Sequence, residues 1–490
     1  MNYIGIDLGT SAVKLLLVDG AGQVKKTVTE EYPLYFPQPG WSEQNPEDWW
    51  NAVCAGVKKL LAGEDAAAVA GIGCAGQMHG LVALDAQDRV IRPAILWNDG
   101  RTGEEVDYLN NEIGKAVLSA RTANIAFAGF TAPKILWMRS HEPENFARIR
   151  KIMLPKDYIN YLLTGVHSCD YSDASGMLLL DVEHKRWSAE MLEVCGITED
   201  VMPTLYESWQ VTGTLRPAAA AALGLPETVK VVAGAGDNAA AAVGTGTVND
   251  GDCNISVGTS GTVFIAADSF RVDPFNALHA FAHAGGGYHL MGCMLSAASC
   301  NKWFSDEILR DKDYAALQAE IDPALLGKNR VFFLPYLMGE RSPVNDTAAR
   351  GVFMGMSMDT ARADLLLAVL EGVAFGLRDS VEVARALGLE ISVSRLCGGG
   401  AKSPLWQKIL ANAIGVELSL PAAEEGPGYG GAMLAMVGCG AYENVAACAA
   451  ALVREKGRVP VDPALKAAYD EKYRIYKRIY PSLKDLFHAM

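Results

Sequence analysis

The 490-residue chain has ten cysteines but no Cys-x-x-Cys pair, and Cys74, Cys253 and Cys397 sit within apolar, strand-like runs. Zinc ribbons and dithiol redox motifs are thereby excluded, and buried thiols in a reducing compartment are expected. No Gly-Lys-Ser/Thr triplet is present, so there is no Walker A phosphate loop. No apolar run approaches the roughly 18 residues that a bilayer crossing needs. The first residues lack a basic stretch followed by an apolar one, so a cytoplasmic location and no membrane partner are expected. Positive charge is short as well: 43 Lys and Arg against 57 Asp and Glu leave a net charge of −14. That balance excludes a nucleic-acid partner, which demands a basic surface, but not a small phosphorylated ligand held locally. His279 and His283 stand four apart, yet no Glu follows His279 and three glycines follow Ala284. A strand and hairpin with structural histidines is expected there, not a zinc helix.

What the sequence does have is apolar bulk and a repeated motif. Half of its 490 residues are hydrophobic, and the chain is too long for one core and long enough for two or three. Ile4 to Lys14 reads as an apolar strand, a Gly-Thr-Ser turn and a second apolar strand, and Asn254 to Val263 repeats the pattern half a chain later. Glycine brings the main-chain N–H groups of such a turn close to a ligand, and the hydroxyls of Thr10, Ser11, Thr259 and Ser260 add donors. A single copy reads as an ordinary hairpin turn. Two copies, each opening one half of the chain, predict two similar domains.

Several other strands end in chemistry. Asp7 closes the first strand, where it either caps the turn or holds a cation beside phosphate. Asn45-Pro46 opens a helix with an apolar face of Trp50, Val53, Val57, Leu60 and Leu61. Val69 to Cys74 runs into Gln77, Met78, His79 and Gly80, whose amide and imidazole suit the paired donors and acceptors of a polyol. Ala94 to Trp97 precedes Asp99 and Arg101, a pair placed either near a sugar or in a turn-stabilising ion pair. Asp170 and Asp173 read as solvated turn carboxylates, with cation binding as the rarer alternative. Val229 to Ala233 leads into Gly234-Ala235-Gly236-Asp237-Asn238 and a helix from Asn238 that Asp237 would cap. Formally this is Gly-x-Gly-x-x-Ala, but the dinucleotide reading fails because Asp250 and Asp252 precede the next strand instead of ending it. Val393 to Cys397 opens onto Gly398, Gly399, Gly400 and Ala401 before a helix from Pro404 to Ile414, a geometry that allows close approach to an anionic or flat ligand. Gly428 to Gly431 marks close packing, and Tyr469, Tyr473, Tyr476 and Tyr480 an aromatic stripe.

Together these motifs resemble the FGGY family of carbohydrate kinases, in the sugar kinase, Hsp70 and actin superfamily, over nearly the whole length. The Gln-Met-His-Gly loop, Trp97-Asn98-Asp99-Gly100-Arg101, Gly129 to Trp137, Gly-Asp-Asn-Ala at 236–239, Gly339-Glu340-Arg341-Ser342-Pro343 and Gly351 to Gly372 carry the likeness. The resemblance implies an α/β fold of two ribonuclease H-like domains around a central cleft, with residues 1–245 binding sugar and residues 246–490 binding ATP. It implies transfer of phosphate from ATP to the 5-hydroxyl of D-xylulose, with ribulose, gluconate or glycerol as other acceptors and a non-catalytic sugar sensor as the remaining alternative. Asp237 would be the catalytic base, and Gln77, Met78, His79, Asp237 and Asn238 would bind the sugar. Gly9, Thr10, Ser11, Gly258, Thr259, Ser260, Gly398, Gly399, Gly400, Ala401 and Asn412 would hold ATP, and Asp7 with Asp237 would hold Mg²⁺. A homodimer is implied on the same ground.

Overall fold

The structure is a computed structural model, and it describes residues 1–422 and 426–490. The chain folds into two compact units. The first comprises Met1–Val248, Ala280–Tyr288 and the segment that carries the helix Gly426–Gly438 and runs to Val453. The second holds Asn249–His279, the stretch from His289 onward and Arg454–Met490. The chain first leaves the first unit after Val248 and crosses back into it twice.

The sheet of the first unit runs in the order Val211–Thr214, Lys230–Gly236, Val69–Gly76, Asn2–Leu8, Ala12–Asp19, Val24–Glu31. Its three central strands are parallel and the flanking ones antiparallel. Alternation of side chains along Asn2–Leu8 decides what each face meets. Ile4, Ile6 and Leu8 enter one core with Leu15, Leu17 and the helix Pro46–Leu61. Within that helix Trp49 is the buried indole where Trp50 was expected, and it donates from Nε1 to Gln44 Oε1 at 3.0 Å. Tyr3, Gly5 and Asp7 point to the other face, where the helix Gly426–Gly438 lies. A Cβ on Gly5 would sit 1.9 Å from the carbonyl oxygen of Gly428, and one on Gly73 would sit 2.0 Å from that of Gly431. Glycine faces glycine there, which is the close packing that the 428–431 run suggests, within a helix longer than expected.

The second unit repeats the plan. Strands Tyr288–Met294, Gly261–Ala267, Cys253–Val257, Val393–Cys397, Glu417–Pro421 and Glu455–Val459 follow one another in its sheet. Cys253–Val257 pairs antiparallel with Gly261–Ala267 and parallel with Val393–Cys397, as Asn2–Leu8 does with its own neighbours. The 25-residue helix Arg362–Ala386 supplies the buried stripe of Leu366, Val369, Leu370, Val373, Leu377 and Val381. Tyr469, Tyr473 and Tyr476 are buried on the helix Pro463–Tyr476, around Phe375. Tyr480 belongs to a separate helix and donates to Asp346 Oδ2 at 2.7 Å. His279–Ala282 is a strand, as the glycines after it suggest. Among the described residues no disulfide forms, and no helix is long and apolar enough to cross a membrane.

Candidate active site

Three parallel strands of the first unit end side by side, and each delivers one part of a site from its C-terminal end, where open α/β sheets bind ligands. Asp7 closes the first. Burial and, after it, the negative charge of Asp237 push its carboxyl up to about 7, with Lys14 opposing. Beyond it the turn is stapled by its neighbours. Gly9 N–H donates to the carbonyls of Asp7 and Ala12 at 3.2 and 3.0 Å, and the Tyr32 hydroxyl donates to Gly9 O. Gln44 Nε2 donates to Thr10 O at 2.6 Å, and Trp97 Nε1 to Thr10 Oγ1 at 3.0 Å. With its oxygen accepting from Trp97, the Thr10 hydroxyl keeps its own proton for a ligand. Ser11 is exposed at the tip.

The second strand delivers the loop Gln77-Met78-His79-Gly80. Gln77 is 2% exposed; its N–H donates to Leu8 O at 2.8 Å and its Nε2 to Gln44 Oε1 at 3.0 Å, while its Oε1 has no hydrogen-bond partner among the described residues. An acceptor held in that way suits a sugar hydroxyl. Met78 is buried against two glycines: a Cβ at Gly236 or at Gly176 would come within about 3 Å of its side chain. His79 adopts a left-handed φ of 70°. Its Nδ1 lies 2.7 Å from Gly176 O, its ring 4.8 Å from that of Phe130, and its carbonyl accepts from Thr131 Oγ1 and Lys134 Nζ at 3.0 and 2.8 Å. A carbonyl only accepts, so Nδ1 donates in that contact and Nε2 is the ring nitrogen not used there.

The third strand ends at Gly236, and the helix Asp237–Gly244 starts at once. Asp237 is therefore the first helical residue and not the cap that the sequence suggests. Its Oδ1 accepts from Asn238 N at 2.7 Å and from Asn238 Nδ2 at 3.1 Å. Burial pushes its carboxyl up to about 6, and the two bonds from Asn238 hold it back. Asp7 and Asp237 thus form a partly desolvated pair of like charges, an arrangement that a divalent cation would relieve. No cluster of three or more metal-ligating side chains occurs among the described residues, so a cation here would lean on ligand oxygens and water as well.

Two expectations need correction or narrowing. Asp170 and Asp173 are fully buried and not solvated turn residues, and their charge partner is Lys156. Asp99 and Arg101 form the ion-pair alternative. Arg101 donates to Asp99 from Nε and from its guanidinium terminus at 2.8 and 2.7 Å, and reaches Glu43 at 2.7 Å. Its guanidinium lies 3.7 Å from the ring centre of Trp41. Sequence reasoning missed Gln44, Tyr32 and Lys134. Gln44 is the junction of the site, and nothing in its local sequence marks it; the proline helix start two residues on is the one nearby signal.

In the second unit, Gly258-Thr259-Ser260 joins two antiparallel strands. Ala298 N–H donates to Gly258 O at 2.7 Å, and Ala297 N–H and Ser299 Oγ donate to Thr259 O at 2.9 and 2.7 Å. The carbonyls are thus tied back, and Thr259 and Ser260 are exposed. The triple-glycine loop lies directly against this turn. Gly398, with φ 88°, would place a Cβ 2.8 Å from Val257 C and O, and Gly400 one 2.5 Å from Val257 Cγ1. Gly399 is exposed with open space beside it. Ala401 is buried. Asn412 is buried too, donating to Lys408 O at 2.8 Å and accepting from Asp462 N at 2.7 Å, so its amide braces the helix behind the loop.

Hairpin turns of one design in each unit, and a carboxylate beside the Gln-Met-His-Gly loop at the parallel strand ends of the first, are consistent with a sugar kinase. The chain belongs to the FGGY family of carbohydrate kinases: residues 2–244 match the N-terminal domain of that family and residues 253–439 its C-terminal domain. It is 42% identical over 486 residues to the xylulose kinase of Escherichia coli K12, covering 99% of each chain. It is 37% identical to that of Bacillus subtilis 168 over 100% of this chain and 99% of the relative. The crystal structure of a xyloylose kinase from Brucella ovis superposes with a TM-score of 0.94 at 42% identity, over 99% of this chain and 100% of the other.

Proposed function

We propose that this chain transfers the γ-phosphoryl group of ATP to the 5-hydroxyl of D-xylulose, giving D-xylulose 5-phosphate and ADP. Similarity to xylulose kinases along the whole chain supports the substrate. The observation that carries the mechanism is the position of Asp237, at a strand end beside Met78 and with Asn238 on its carboxylate. In this reading Asp237 accepts the proton of the attacking hydroxyl. Phosphoryl transfer passes through a loose transition state, so a modest base suffices and position matters more than strength. Gln77 Oε1 accepts a sugar hydroxyl, His79 offers its imidazole, Met78 packs on the carbon chain and Asn238 bonds a neighbouring hydroxyl.

In this reading Gly9, Thr10, Ser11, Gly258, Thr259, Ser260 and the Gly398–Ala401 loop hold ATP. Asp7 and Asp237 would hold Mg²⁺, which when bound neutralises phosphate charge. A cytoplasmic location belongs to this reading, on the cysteine spacing of the sequence. A screen of ADP release across D-xylulose, ribulose, gluconate and glycerol tests the proposal. Turnover is expected to be highest with D-xylulose; preference for another acceptor refutes the substrate, and binding without any phosphorylated product refutes the reaction.

A further inference from the structure

The helix Pro155–Thr164, the strand Ser168–Asp170 and the turn Tyr171–Ala174 bring four charged side chains together with almost no contact with solvent. Lys156, Asp170 and Asp173 are 0% exposed and Asp157 is 1% exposed. Lys156 Nζ lies 2.6 Å from Asp157 Oδ1, 2.9 Å from Asp170 Oδ1 and 3.5 Å from Asp173 Oδ2. An arrangement this costly to desolvate is poor stabilisation by itself, since apolar residues of similar volume serve as well or better. Its position suggests another use.

Asp170 Oδ2 accepts from Ser172 N at 2.9 Å, from Ser172 Oγ at 2.5 Å and from Ser208 Oγ at 2.8 Å. The Ser172 oxygen in turn accepts from the N–H of Gly236 at 3.2 Å. Gly236 is the residue before Asp237. The strand that carries it is irregular: its register against Val69–Gly76 shifts between Val232 and Ala235, and Gly234 takes a left-handed φ of 75°. Such bulges re-aim the residues that follow and leave main-chain groups to be satisfied from elsewhere. Here Asn160 Nδ2, one helical turn beyond Lys156, donates to Ala233 O at 2.8 Å. Ser208 O accepts from Gly234 N at 2.9 Å.

We propose that Lys156, Asp170 and Ser172 form a buried positioning chain that fixes the main chain at Gly236 and so sets the angle at which Asp237 meets the sugar hydroxyl. The inference rests on the reading of Asp237 as the base. Ser172 is the link that makes it work: its hydroxyl donates to a carboxylate anchored on an ammonium group, and its oxygen holds the amide of the bulged strand. Asp173 completes the charge balance as a neutral acid. One ammonium group cannot offset three carboxylates away from water. Asp173 is the most distant of the three, and neither of its oxygens has a hydrogen-bond partner among the described residues. Burial, followed by the charges of Asp157, Asp170 and Asp237, raises its carboxyl well above the usual range against the pull of Lys156. The other titratable groups facing the cluster include Cys74 and Cys169, both thiols kept protonated by burial, and His167, whose imidazole burial pushes down against the pull of Asp157.

The test uses the full chain with D-xylulose and ATP. Ser172→Ala should lower kcat about tenfold, since small displacements of a reacting group are costly in rate. KM for both substrates should stay within about twofold, the melting temperature should be close to that of the parent, and Ser172→Thr, which keeps the hydroxyl, should recover most of the rate. Wild-type kcat in Ser172→Ala, or a loss confined to KM, overturns the proposal. Asp173→Asn has the shape of the neutral acid and should leave kcat and the denaturation midpoint close to those of the parent. A clear loss of stability would reveal a charge at residue 173, left to balance Lys156, and overturn its assignment. Asp237→Ala separates the two readings. If it retains turnover, the base has been misassigned; if it is inactive while Ser172→Ala is normal, the positioning chain alone fails.

Discussion

Asn238 gives Asp237 two hydrogen bonds on one oxygen, from its main-chain N–H at 2.7 Å and its side-chain amide at 3.1 Å. Both favour the carboxylate, while burial favours the acid, and the balance lies at about 6. A base works in its ionised form, so activity should fall as pH drops through that value. Asp7, pushed up to about 7, must ionise as well to hold Mg²⁺, so the acid limb of kcat/KM is expected between about pH 6 and 7. Asn238→Ala removes one donor to the anion, and the limb should move up by about one unit. A limb that stays in place or moves down would mean that the amide does not act on this carboxylate.

Gly399→Ala isolates the nucleotide side of the reading. A Cβ there meets nothing within 4 Å, so the substitution should leave the melting temperature unchanged. If ATP approaches the loop closely, the extra methyl should raise KM for ATP about tenfold, the equivalent of about 1.4 kcal/mol, and leave KM for xylulose alone. An unchanged KM for ATP places the nucleotide elsewhere.

Gly430→Ala probes the helix contact beneath Asp237. Its Cβ would lie 1.9 Å from the carbonyl oxygen of Ala240, a main-chain atom in the helix that begins with Asp237. Overpacking of this kind should destabilise the protein by about 2 kcal/mol or more, read as a lower denaturation midpoint. A midpoint equal to that of the parent would show that the helices can part without cost.

Lys472 and Glu371 form a buried ion pair in the second unit, and neither residue is assigned to chemistry. Lys472→Met would leave Glu371 buried without its cation and should cost about 3 kcal/mol of stability. Its kcat per folded molecule should be unchanged. A loss of kcat at full stability would give this pair a role in turnover.

Much of this architecture is local and was therefore legible. Both Gly-Thr-Ser hairpins follow from turn chemistry and apolar flanks, and Val393–Cys397 with Pro404–Ile414 follows from a strand, a glycine run and a capped proline helix start. Asp237 was visible because the glycines before it mark a strand end, although its helix begins one residue early. What stayed hidden depends on partners distant in sequence. Asp170 and Asp173 look solvated until Lys156, 14 and 17 positions earlier, is placed against them. Gln44 gains its meaning from Thr10, Trp49 and Gln77 together. The glycines at 428–431 announce a close contact, but their sequence does not say that Gly5, Gly73 and Ala240 lie opposite.

The central claim is that Asp237 takes the proton from xylulose while ATP is cleaved. Its most direct test is the single-turnover rate of Asp237→Ala with D-xylulose and ATP, alongside xylulose binding to the same variant. The account predicts a rate lower by about a thousandfold with binding largely retained. Wild-type turnover in that variant would contradict it.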